Sequence, residues 1–358
     1  MITLFCIRPK GLNVGNEVIF WGLKHFIREV FKCDVNLVSI PATNKYDSQI
    51  IAGLTSKTIY EINQYGHGVV IGGGNIYENG DIDIDIEALK SLEVPLMLFS
   101  LSMGRIYNRR LKLVRRTDSM LSKTVLALND MAQYSIARDK ATKEYLQHIG
   151  VDNVVLGGCP SIFINKMLNL LPDSLHYDKG GLLISIRNPD MMNIPLNIKS
   201  RVYADILSII EFLGSKGLGD IRLLCHDYRD ISFATSFQDI EYVYPCDVYN
   251  YLSLLRSCKL NITYRLHSML PCLSLDIPTI KISYDERSLS LIETIGMGDW
   301  NIDMVKSGDT ISQVNDRYNN MDELKVIRER AQPIWKELYA NMLDVFSRFA
   351  DDVLKCYR

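Results

Sequence analysis

Residues 259–283 read KLNITYRLHSMLPCLSLDIPTIKIS and contain one complete strand–helix–strand unit. The flanking runs Lys259–Thr263 and Thr279–Ser283 are short and rich in Ile, Leu and Thr, as expected for strands inside a covered parallel sheet. Between them, His267–Leu275 has the composition of a helix that crosses back over the sheet. Repeats of this unit build α/β proteins, in which helices cover a parallel sheet.

The same alternation of short apolar runs and amphipathic stretches covers most of the chain. In the second half it predicts strands at Gly181–Ile186, Ile221–Cys225 and Ile240–Tyr244, and helices at Lys199–Ser215 and Val248–Ser257. In the first half it predicts strands at Ile2–Ile7, Val35–Ile40, Gly68–Ile71, Pro95–Leu101, Thr124–Leu128 and Val154–Leu156. The helices predicted there are Asn16–Phe31, Ser48–Gln64, Tyr107–Ser122 and Lys140–Ile149.

Two domains are expected because 358 residues exceed what one hydrophobic core usually serves. The stretch Asn165–Lys179 shows no periodicity and is predicted as the linker between them. We predict two Rossmann-like, doubly wound α/β domains, residues 1–165 and 180–320, that face each other across a cleft. Residues 321–358 follow a helical pattern that Pro333 should interrupt, and we predict that they pack back onto the N-terminal domain.

The composition excludes several classes of protein. With 40 Lys and Arg residues against 42 Asp and Glu residues, the formal charge is −2, whereas nucleic-acid-binding proteins normally carry a basic surplus. The eight cysteines form no Cys-x-x-Cys pair, so the sequence predicts no zinc cluster and a reducing compartment. The longest apolar run, Val94–Met103, is about half the length that a membrane-spanning helix needs. We therefore expect a cytoplasmic protein without a nucleic-acid partner.

Glycine-rich and polar segments follow the predicted strands of the first half, at the sheet edge where ligands bind in α/β proteins. The candidate residues there are Asn16, Gly73, Gly74, Asn75, Ser100 and Ser102. The glycines either form a tight turn or let backbone N–H groups approach a ligand. The serines either cap a helix or donate to sugar hydroxyl groups.

The second half places basic side chains at the same edge, namely Arg187, His226, Arg265, His267 and Arg287. A guanidinium group directly after a buried strand can hold a carboxylate or phosphate with two hydrogen bonds, and the helix start beside it adds positive charge. For each histidine a second interpretation stays open. His267 could be a buried residue with hydrogen bonds inside the protein, and His226 could belong to a pair of side chains on the surface. The chain has no P-loop, Gly-x-Gly-x-x-Gly or His-Glu-x-x-His motif, and we expect no bound metal. These features predict a transferase-like enzyme with an anion site in its second domain.

Several short motifs occur in the order and spacing of one known family. They are Gly11–Asn16, Ile71–Ile76, Ser100–Gly104, Ala137–Leu146, Gly158–Ser161, Ile184–Arg187, Tyr264–Ser268 and Pro278–Arg287. From about Cys6 to Met297 the chain resembles the polysaccharide pyruvyl transferase family. Asn16 stands where the family often has Asp, Arg287 where Lys is common, and Cys159 where many members have Asp.

The resemblance implies a GT-B-like fold and transfer of pyruvate from phosphoenolpyruvate onto two hydroxyl groups of a cell-surface glycan sugar, as a ketal. It implies no cofactor besides phosphoenolpyruvate as co-substrate, and an acceptor that is a glycan or a polyprenyl-diphosphate-linked oligosaccharide. Arg187, His226, Arg265, His267 and Arg287 would then bind the donor, with Arg265 and His267 catalytic and His267 as the general acid. The six candidates of the first half would contact the acceptor.

Two alternatives stay open at this point. One is a GT-B glycosyltransferase that uses a nucleotide sugar in surface polysaccharide synthesis, in which Arg265 would bind the diphosphate. The other is a non-catalytic glycan-assembly protein that has kept the fold.

A basic stretch lies between Arg105 and Lys123 and contains one acidic residue, Asp118. Read as a helix, it places Arg109, Lys112 and Arg116 on one face. This face is either solvated or in peripheral contact with anionic lipid at the inner face of the plasma membrane.

Overall fold

The computed structural model describes residues 1–11, 13–45, 51–171 and 181–357. Its strands, in chain order, are β1 (Ile2–Arg8), β2 (Val35–Pro41), β3 (Gly68–Gly74), β4 (Leu96–Leu101), β5 (Ile106–Tyr107), β6 (Leu113–Val114), β7 (Tyr134–Ala137), β8 (Val154–Leu156), β9 (Leu182–Ser185), β10 (Ile221–Leu224), β11 (Tyr242–Val243), β12 (Leu260–Thr263), β13 (Thr279–Ser283) and β14 (Ile302–Asp303). All pair in parallel except β5 and β6, which form an antiparallel hairpin.

Helices connect the parallel strands. They are α1 (Val14–Val30), α2 (Ser56–Tyr65), α3 (Ile76–Asn79), α4 (Ile86–Leu89), α5 (Ser122–Met131), α6 (Lys140–His148), α7 (Leu196–Lys199), α8 (Val202–Ser215), α9 (Ile231–Ala234), α10 (Val248–Ser257), α11 (Leu266–Ser274), α12 (Glu286–Thr294), α13 (Thr310–Asn319) and α14 (Met321–Tyr357). Four 3-10 helices lie at Pro160–Leu170, Pro189–Met191, Tyr228–Asp230 and Gly298–Trp300. In the described ranges, no helix is both long and apolar enough to span a membrane.

Each sheet is buried on both faces. In β1, Leu4 and Cys6 belong to one apolar cluster, whereas Phe5 and Ile7 belong to another. Because both faces of such a strand are covered, successive residues are apolar and the strand shows no polar alternation. This confirms the α/β class that the short apolar runs predicted.

The order of the strands reverses once in each sheet. The first sheet runs β2-β1-β3-β4-β7-β8 and reverses between β1 and β3; the second runs β11-β10-β9-β12-β13-β14 and reverses between β9 and β12. The connections on either side of such a point lead to opposite faces of the sheet and leave a crevice at the carboxyl ends of the strands. The fold therefore provides two crevices, one in each domain.

The C-terminal helix α14 joins the domains. Trp335 donates from its indole N–H to the Ile295 carbonyl of the second domain (2.8 Å). Farther along, Phe346 stacks on Phe26 of α1 with ring centroids 5.3 Å apart. The helix thus returns to the first domain, as the fold class predicted. It also passes through Pro333 without stopping, because Pro333 lies on the solvent side and water can reach the carbonyl group that loses its partner.

Two predicted elements of the first half are wrong. Thr124–Leu128, predicted as a strand, belongs to helix α5, in which Val125 and Leu128 are buried three residues apart. The strand lies farther on, at β7. Short apolar runs fit a buried strand and a buried helix segment equally well, so the period within this run could not distinguish them.

The predicted helix Tyr107–Ser122 is instead the β5–β6 hairpin followed by a loop. The side chain of Asn108 accepts hydrogen bonds from the N–H groups of Arg110 (2.9 Å) and Lys112 (3.1 Å), and Leu111 has a positive φ of 56°. An Asn that folds its side chain onto the following backbone favours a turn over a helix. The predicted basic helix face therefore does not exist.

Two other boundaries differ. Helix α2 begins at Ser56, later than the predicted Ser48, and residues 46–50 lie outside the described residues. The predicted linker Asn165–Lys179 begins inside the 3-10 helix Pro160–Leu170, and its residues 172–179 also lie outside the described ranges.

Candidate active site

A cleft of about 980 Å³ lies between the domains, and loops from both reversal points line it. Among the described lining residues, eight are Lys or Arg and four are Asp, although the whole chain carries a formal charge of −2. The cations are Lys10, Lys45, Arg116, Arg138, Arg187, Arg229, Arg265 and Arg287; the carboxylates are Asp81, Asp118, Asp190 and Asp285. A cleft with an excess of positive charge concentrates anions.

Parallel pairing of β9 with β12 places Arg187 and Arg265 side by side. Ser185 pairs with Thr263, and each arginine follows its strand two residues later. The Thr263 hydroxyl accepts from the Arg265 N–H group (2.8 Å) and donates to the Arg265 carbonyl (3.0 Å), which fixes the start of α11. Arg265 occupies the N-cap position without capping the helix, so its guanidinium group is free to line the cleft.

Asp230 lies behind both guanidinium groups, but it does not satisfy them. Its carboxylate is 3.5 Å from Arg187 Nη1 and 3.6 Å from Arg265 Nη2, longer than a good hydrogen bond. Neither nitrogen has a hydrogen-bond partner among the described residues, although the two side chains are only 13% and 8% exposed. Burial and the nearby Arg265 lower the pKa of Arg187, as expected for two like charges held close together. A carboxylate or phosphate would satisfy both groups.

Two histidines face the cleft beside these arginines. The Tyr251 hydroxyl donates to the His267 carbonyl (2.6 Å) and lies 3.4 Å from His226 Nε2. Burial lowers the pKa of both imidazoles well below 6.5, and nearby arginines lower it further. Both rings are therefore neutral at pH 7 in the free protein. His267 Nε2 is buried and makes no hydrogen bond within the described residues, so a ligand in the cleft could exchange a proton with it.

Arg287, also predicted to bind the donor, lines the cleft and ties the two domains together. Its Nη2 donates to Asp285 (2.8 Å), and its Nη1 lies 3.5 Å from Glu78 of the first domain. Glu78 accepts from the Gly104 N–H group (2.6 Å), and burial raises the pKa of its carboxyl group. Asp285 thus takes up the Nη2 donor of Arg287, whereas its Nε atom is buried and has no hydrogen-bond partner among the described residues.

The first-domain candidates fall into two groups. Asn16, Gly74 and Asn75 line the cleft, so their predicted acceptor contacts stay predictions. Gly73 does not line it: its φ is +60°, and a Cβ there would lie 2.2 Å from Ile19.

Ser100 and Ser102 are fully buried. The Ser100 hydroxyl donates to the Gly158 carbonyl (2.8 Å), and the Ser102 hydroxyl donates to the Gly74 carbonyl (3.2 Å). The Ser102 bond joins the ends of the neighbouring strands β3 and β4, and the Ser100 bond links β4 to the segment that follows β8. None of Gly73, Ser100 and Ser102 is among the residues that line the cleft, and their predicted contacts with a ligand stay predictions.

Arg138 is one of the cleft residues outside the predicted candidates, although its motif contributes to the family resemblance. Arg138 directly follows β7 and lines the cleft from the first domain. The same test that found Arg187, an arginine after a buried strand, would have found it. Because the strand is predicted at 124–128 instead of at β7, Arg138 does not directly follow a predicted strand.

Glycines let the two domains approach each other closely. A Cβ at Gly15 would lie 2.7 Å from His267 Nδ1 and 3.1 Å from His267 Cβ, and one at Gly104 would lie 2.9 Å from the Arg287 backbone nitrogen. The Val14 N–H group also donates to the His226 carbonyl across the cleft (2.9 Å). The first residues of α1 therefore fix the position of the two histidines.

We expect Gly15→Ala to lower kcat by about 10- to 100-fold, because the added methyl group must displace the His267 ring or separate the domains. Steady-state kinetics would measure this effect. Gly214→Ala is the matched control, since Gly214 is also helical and a Cβ there meets nothing within 4 Å. Equal activity of the two variants would contradict the positioning role of Gly15.

Three solved structures share this fold at low sequence identity. UDP-GlcNAc 2-epimerase from Methanocaldococcus jannaschii, in complex with UDP-GlcNAc and UDP, has a TM-score of 0.54 at 13% identity, covering 88% of this chain and 92% of that one. The Neisseria meningitidis UDP-GlcNAc 2-epimerase bound to UDP-GlcNAc has a TM-score of 0.56 at 11% identity, covering 99% and 100%. The S. aureus MnaA–UDP structure has a TM-score of 0.58 at 13% identity, covering 100% and 97%. These likenesses confirm the GT-B-like fold.

No curated protein matches the sequence significantly. The family model described as polysaccharide pyruvyl transferase matches residues 13–286. That range contains Arg187, Arg265 and His267, and it confirms the resemblance found in the motifs. The chain therefore belongs to the polysaccharide pyruvyl transferase family, and it is a transferase.

Proposed function

We propose that this protein transfers pyruvate from phosphoenolpyruvate onto two hydroxyl groups of a sugar in a surface glycan or its polyprenyl-diphosphate-linked precursor, forming a cyclic ketal. The observation that carries the proposal is the pair of buried guanidinium groups, Arg187 and Arg265, which have unsatisfied N–H groups beside His267. Phosphoenolpyruvate presents a carboxylate and a phosphate a few atoms apart. Two adjacent arginines suit such a ligand, because each can form two parallel charge-assisted hydrogen bonds.

The proposed reaction has two steps. Protonation of the donor methylene carbon produces a cationic centre at the neighbouring carbon, which the first acceptor hydroxyl attacks. The second hydroxyl then displaces phosphate from the same carbon, which closes the ketal ring. The general acid gives its proton to the methylene carbon, which becomes a methyl group. One of the two hydroxyl protons restores the acid, and the other leaves with phosphate. The reaction is therefore balanced without a further reactant.

His267 is the proposed acid, and the structure adds a condition to this role. Burial, Arg138, Arg287 and Arg265 together hold the pKa of His267 well below 6.5, so the free protein keeps the ring neutral. A bound donor brings negative charge close to these arginines and offsets their effect on the ring. In the proposed mechanism His267 therefore gains its proton when the donor binds, which restricts proton transfer to the loaded site.

Transfer from a nucleotide sugar is the second candidate function. Its support is the fold, which the UDP-sugar enzymes above share, and the same two arginines would hold a diphosphate. The cleft of about 980 Å³ is large enough for either donor together with part of an acceptor.

Mass spectrometry of the glycan made with and without this protein tests the proposal. A gain of one pyruvate ketal per acceptor supports it, and a gain of one sugar residue supports the second candidate. Stabilisation against heat by phosphoenolpyruvate but not by UDP-sugars should accompany the first result. Binding of phosphoenolpyruvate without turnover on any acceptor would indicate a non-catalytic role and contradict the proposal.

Peripheral contact with the inner face of the plasma membrane also stays a proposal, and the β5–β6 hairpin is the surface that we propose for it. Its tip exposes Arg109, Arg110 and Lys112 together with Leu111, whereas Arg116 is paired with Asp118. Each exposed cation contributes about 1 kcal/mol near an anionic surface and is screened by salt. We expect co-sedimentation with anionic but not neutral vesicles at low salt. It should be lost when the three cations are replaced by Glu, and equal sedimentation of both proteins would contradict it.

A further inference from the structure

A side chamber of about 80 Å³ lies between the two domains, beside the cleft. The first domain lines it with Asn75, Glu78 and Gly104, and the second domain lines it with Arg187 and Arg287. Asn75, Arg187 and Arg287 also line the cleft, so the chamber adjoins the space that the donor occupies in the proposed function. A hydroxyl group of an acceptor held in the cleft can therefore reach it.

Glu78 contributes an unused carboxylate oxygen to this chamber, although its side chain is only 4% exposed. Its Oε2 atom accepts from the Gly104 N–H group (2.6 Å), which fixes the carboxylate. Its Oε1 atom is buried and has no hydrogen-bond partner within the described ranges, and Arg287 Nη1 lies 3.5 Å from it, longer than a good hydrogen bond. A buried oxygen without a donor is costly, and a ligand that donates to it removes that cost.

The other carboxylates that line the cleft are already paired. Among the described residues, the pairs are Asp81 with Lys45, Asp118 with Arg116, Asp190 with Lys199 and Asp285 with Arg287. None of these four carboxylates has a buried oxygen that lacks a hydrogen-bond partner within the described part of the chain. Glu78 is therefore the carboxylate best placed to accept a proton from a ligand.

The chamber suits a hydroxyl group better than an anion. Arg287 Nε is also buried and unpaired among the described residues, so the chamber walls carry a donor as well as an acceptor. A hydroxyl group can accept from Arg287 and donate to Glu78 at the same time, whereas an anion would lie against the negative charge of the carboxylate. Burial raises the pKa of the Glu78 carboxyl group, although Arg287 and Arg138 offset part of this effect. A raised pKa makes the carboxylate a better base for the hydroxyl group that donates to it.

Glu78 and the proposed acid, His267, lie around the same two cations. Arg138 and Arg287 lower the pKa of both groups. Glu78 belongs to α3 of the first domain, whereas His267 belongs to α11 of the second. An acid and a base from different domains can therefore act on one donor and acceptor held between them.

We infer that Glu78 is the catalytic base that takes the proton of the second acceptor hydroxyl. The inference rests on the proposed function for the identity of the reaction. The hydroxyl oxygen forms the second C–O bond of the ketal as its proton passes to Glu78 Oε1. The C–O bond to phosphate breaks, and its electron pair leaves with phosphate. Glu78 then gives the proton to the departing phosphate and returns to a carboxylate, while the proton of the first hydroxyl restores His267.

A reaction in D₂O separates the two steps, with phosphoenolpyruvate as donor and the glycan isolated from cells that lack this protein as acceptor. We expect Glu78→Gln to form the ketal about 10²- to 10⁴-fold more slowly than wild type. Its first step should stay intact, because His267 is unchanged. Mass spectrometry of the quenched reaction would show this step as deuterium in the remaining phosphoenolpyruvate or as an adduct of donor and acceptor that still holds phosphate. His267→Ala should lose both signals.

Glu78→Asp and Asp118→Asn complete the experiment. Glu78→Asp keeps a carboxylate, so it should form the ketal faster than Glu78→Gln, and it decides the matter if the Gln variant is unstable. Asp118→Asn is the matched control, because Asp118 lines the same cleft but is paired with Arg116, and its loss should change the rate by less than about threefold.

Two results would overturn the inference while the proposed function stands. One is ketal formation at the wild-type rate in folded Glu78→Gln. The other is a folded Glu78 variant that loses the first step together with ketal formation, since a base for the second hydroxyl is not needed for the first step. If wild type itself forms no ketal from phosphoenolpyruvate on the glycan, the proposed function fails, and the role of Glu78 fails with it.

Discussion

Replacement of Arg265 with alanine should weaken phosphoenolpyruvate binding by about 30- to 1000-fold, equivalent to about 2–4 kcal/mol. Arg265 follows the strand at the reversal point of the second sheet, and its side chain is 8% exposed with Nη2 unsatisfied within the described residues. A ligand that satisfies such a donor loses a buried, charge-assisted bond when the donor is removed. Calorimetric titration of the purified variant would measure the loss.

Arg265→Lys should not restore binding, because Lys keeps the charge but lacks the planar guanidinium group that forms two parallel hydrogen bonds. The alanine variant should fold, since Asp230 keeps Arg187 as a neighbour and α11 takes no cap from the Arg265 side chain. Arg116→Ala is the control for loss of charge in the cleft, because Asp118 and Asn79 already use its guanidinium group. Near-normal donor affinity in folded Arg265→Ala would contradict the assignment of the anion site to Arg265.

The second-domain site was predictable because it depends on local rules. The strands β9 and β12 are visible as short apolar runs, and any residue directly after them must lie at the ligand edge of a parallel sheet. This rule alone predicts Arg187, Arg265 and His267 as site residues. The register that sets Ser185 beside Thr263, and hence the two arginines beside each other, became visible only in the structure.

Arg138 shows where local rules fail. The run Thr124–Leu128 has the composition of a strand, and only its place in the sheet order excludes one: β7 fills the position between β4 and β8. A strand predicted at Thr124–Leu128 leaves Arg138 without a preceding strand, whereas in the structure it directly follows β7.

Contacts between the domains were beyond prediction for a different reason. The approach of Gly15 to His267 and the Tyr107–Asp303 hydrogen bond (2.6 Å) join residues about 200 or more positions apart. Neither hydropathy nor turn composition carries information about such pairs. The sequence therefore leaves the glycine motifs of the first half open to two interpretations, a tight turn or a ligand-binding loop. In the structure, Gly15 and Gly104 are sites of close packing between the domains.

Replacement of His267 with alanine should reduce kcat by about 10²- to 10⁴-fold while leaving donor affinity within a few fold of wild type. The reason is that an acid acts in the transition state, whereas Arg187 and Arg265 already bind the anion in the ground state. Single-turnover kinetics together with calorimetric titration separate the two effects. His226→Gln is the comparison, because His226 shares the cleft and the Tyr251 contact but follows β10, whereas His267 lies in α11. A larger loss of turnover in His226→Gln would assign the acid to His226.

Proton uptake gives the sharpest test of the His267 assignment. The pKa of His267 in the free protein is well below 6.5, from burial and from Arg138, Arg287 and Arg265, so at pH 8 the ring enters the complex without a proton. If the bound donor raises that pKa far enough for the ring to act as an acid, binding must take up to about one proton from the buffer. Calorimetric titrations at pH 8 in buffers of different ionisation enthalpy measure this number, and His267→Ala should abolish it. An active wild type that takes up no proton, paired with an inactive His267→Ala, would mean that the neutral ring works as a base. The acid would then have to be another group in the cleft.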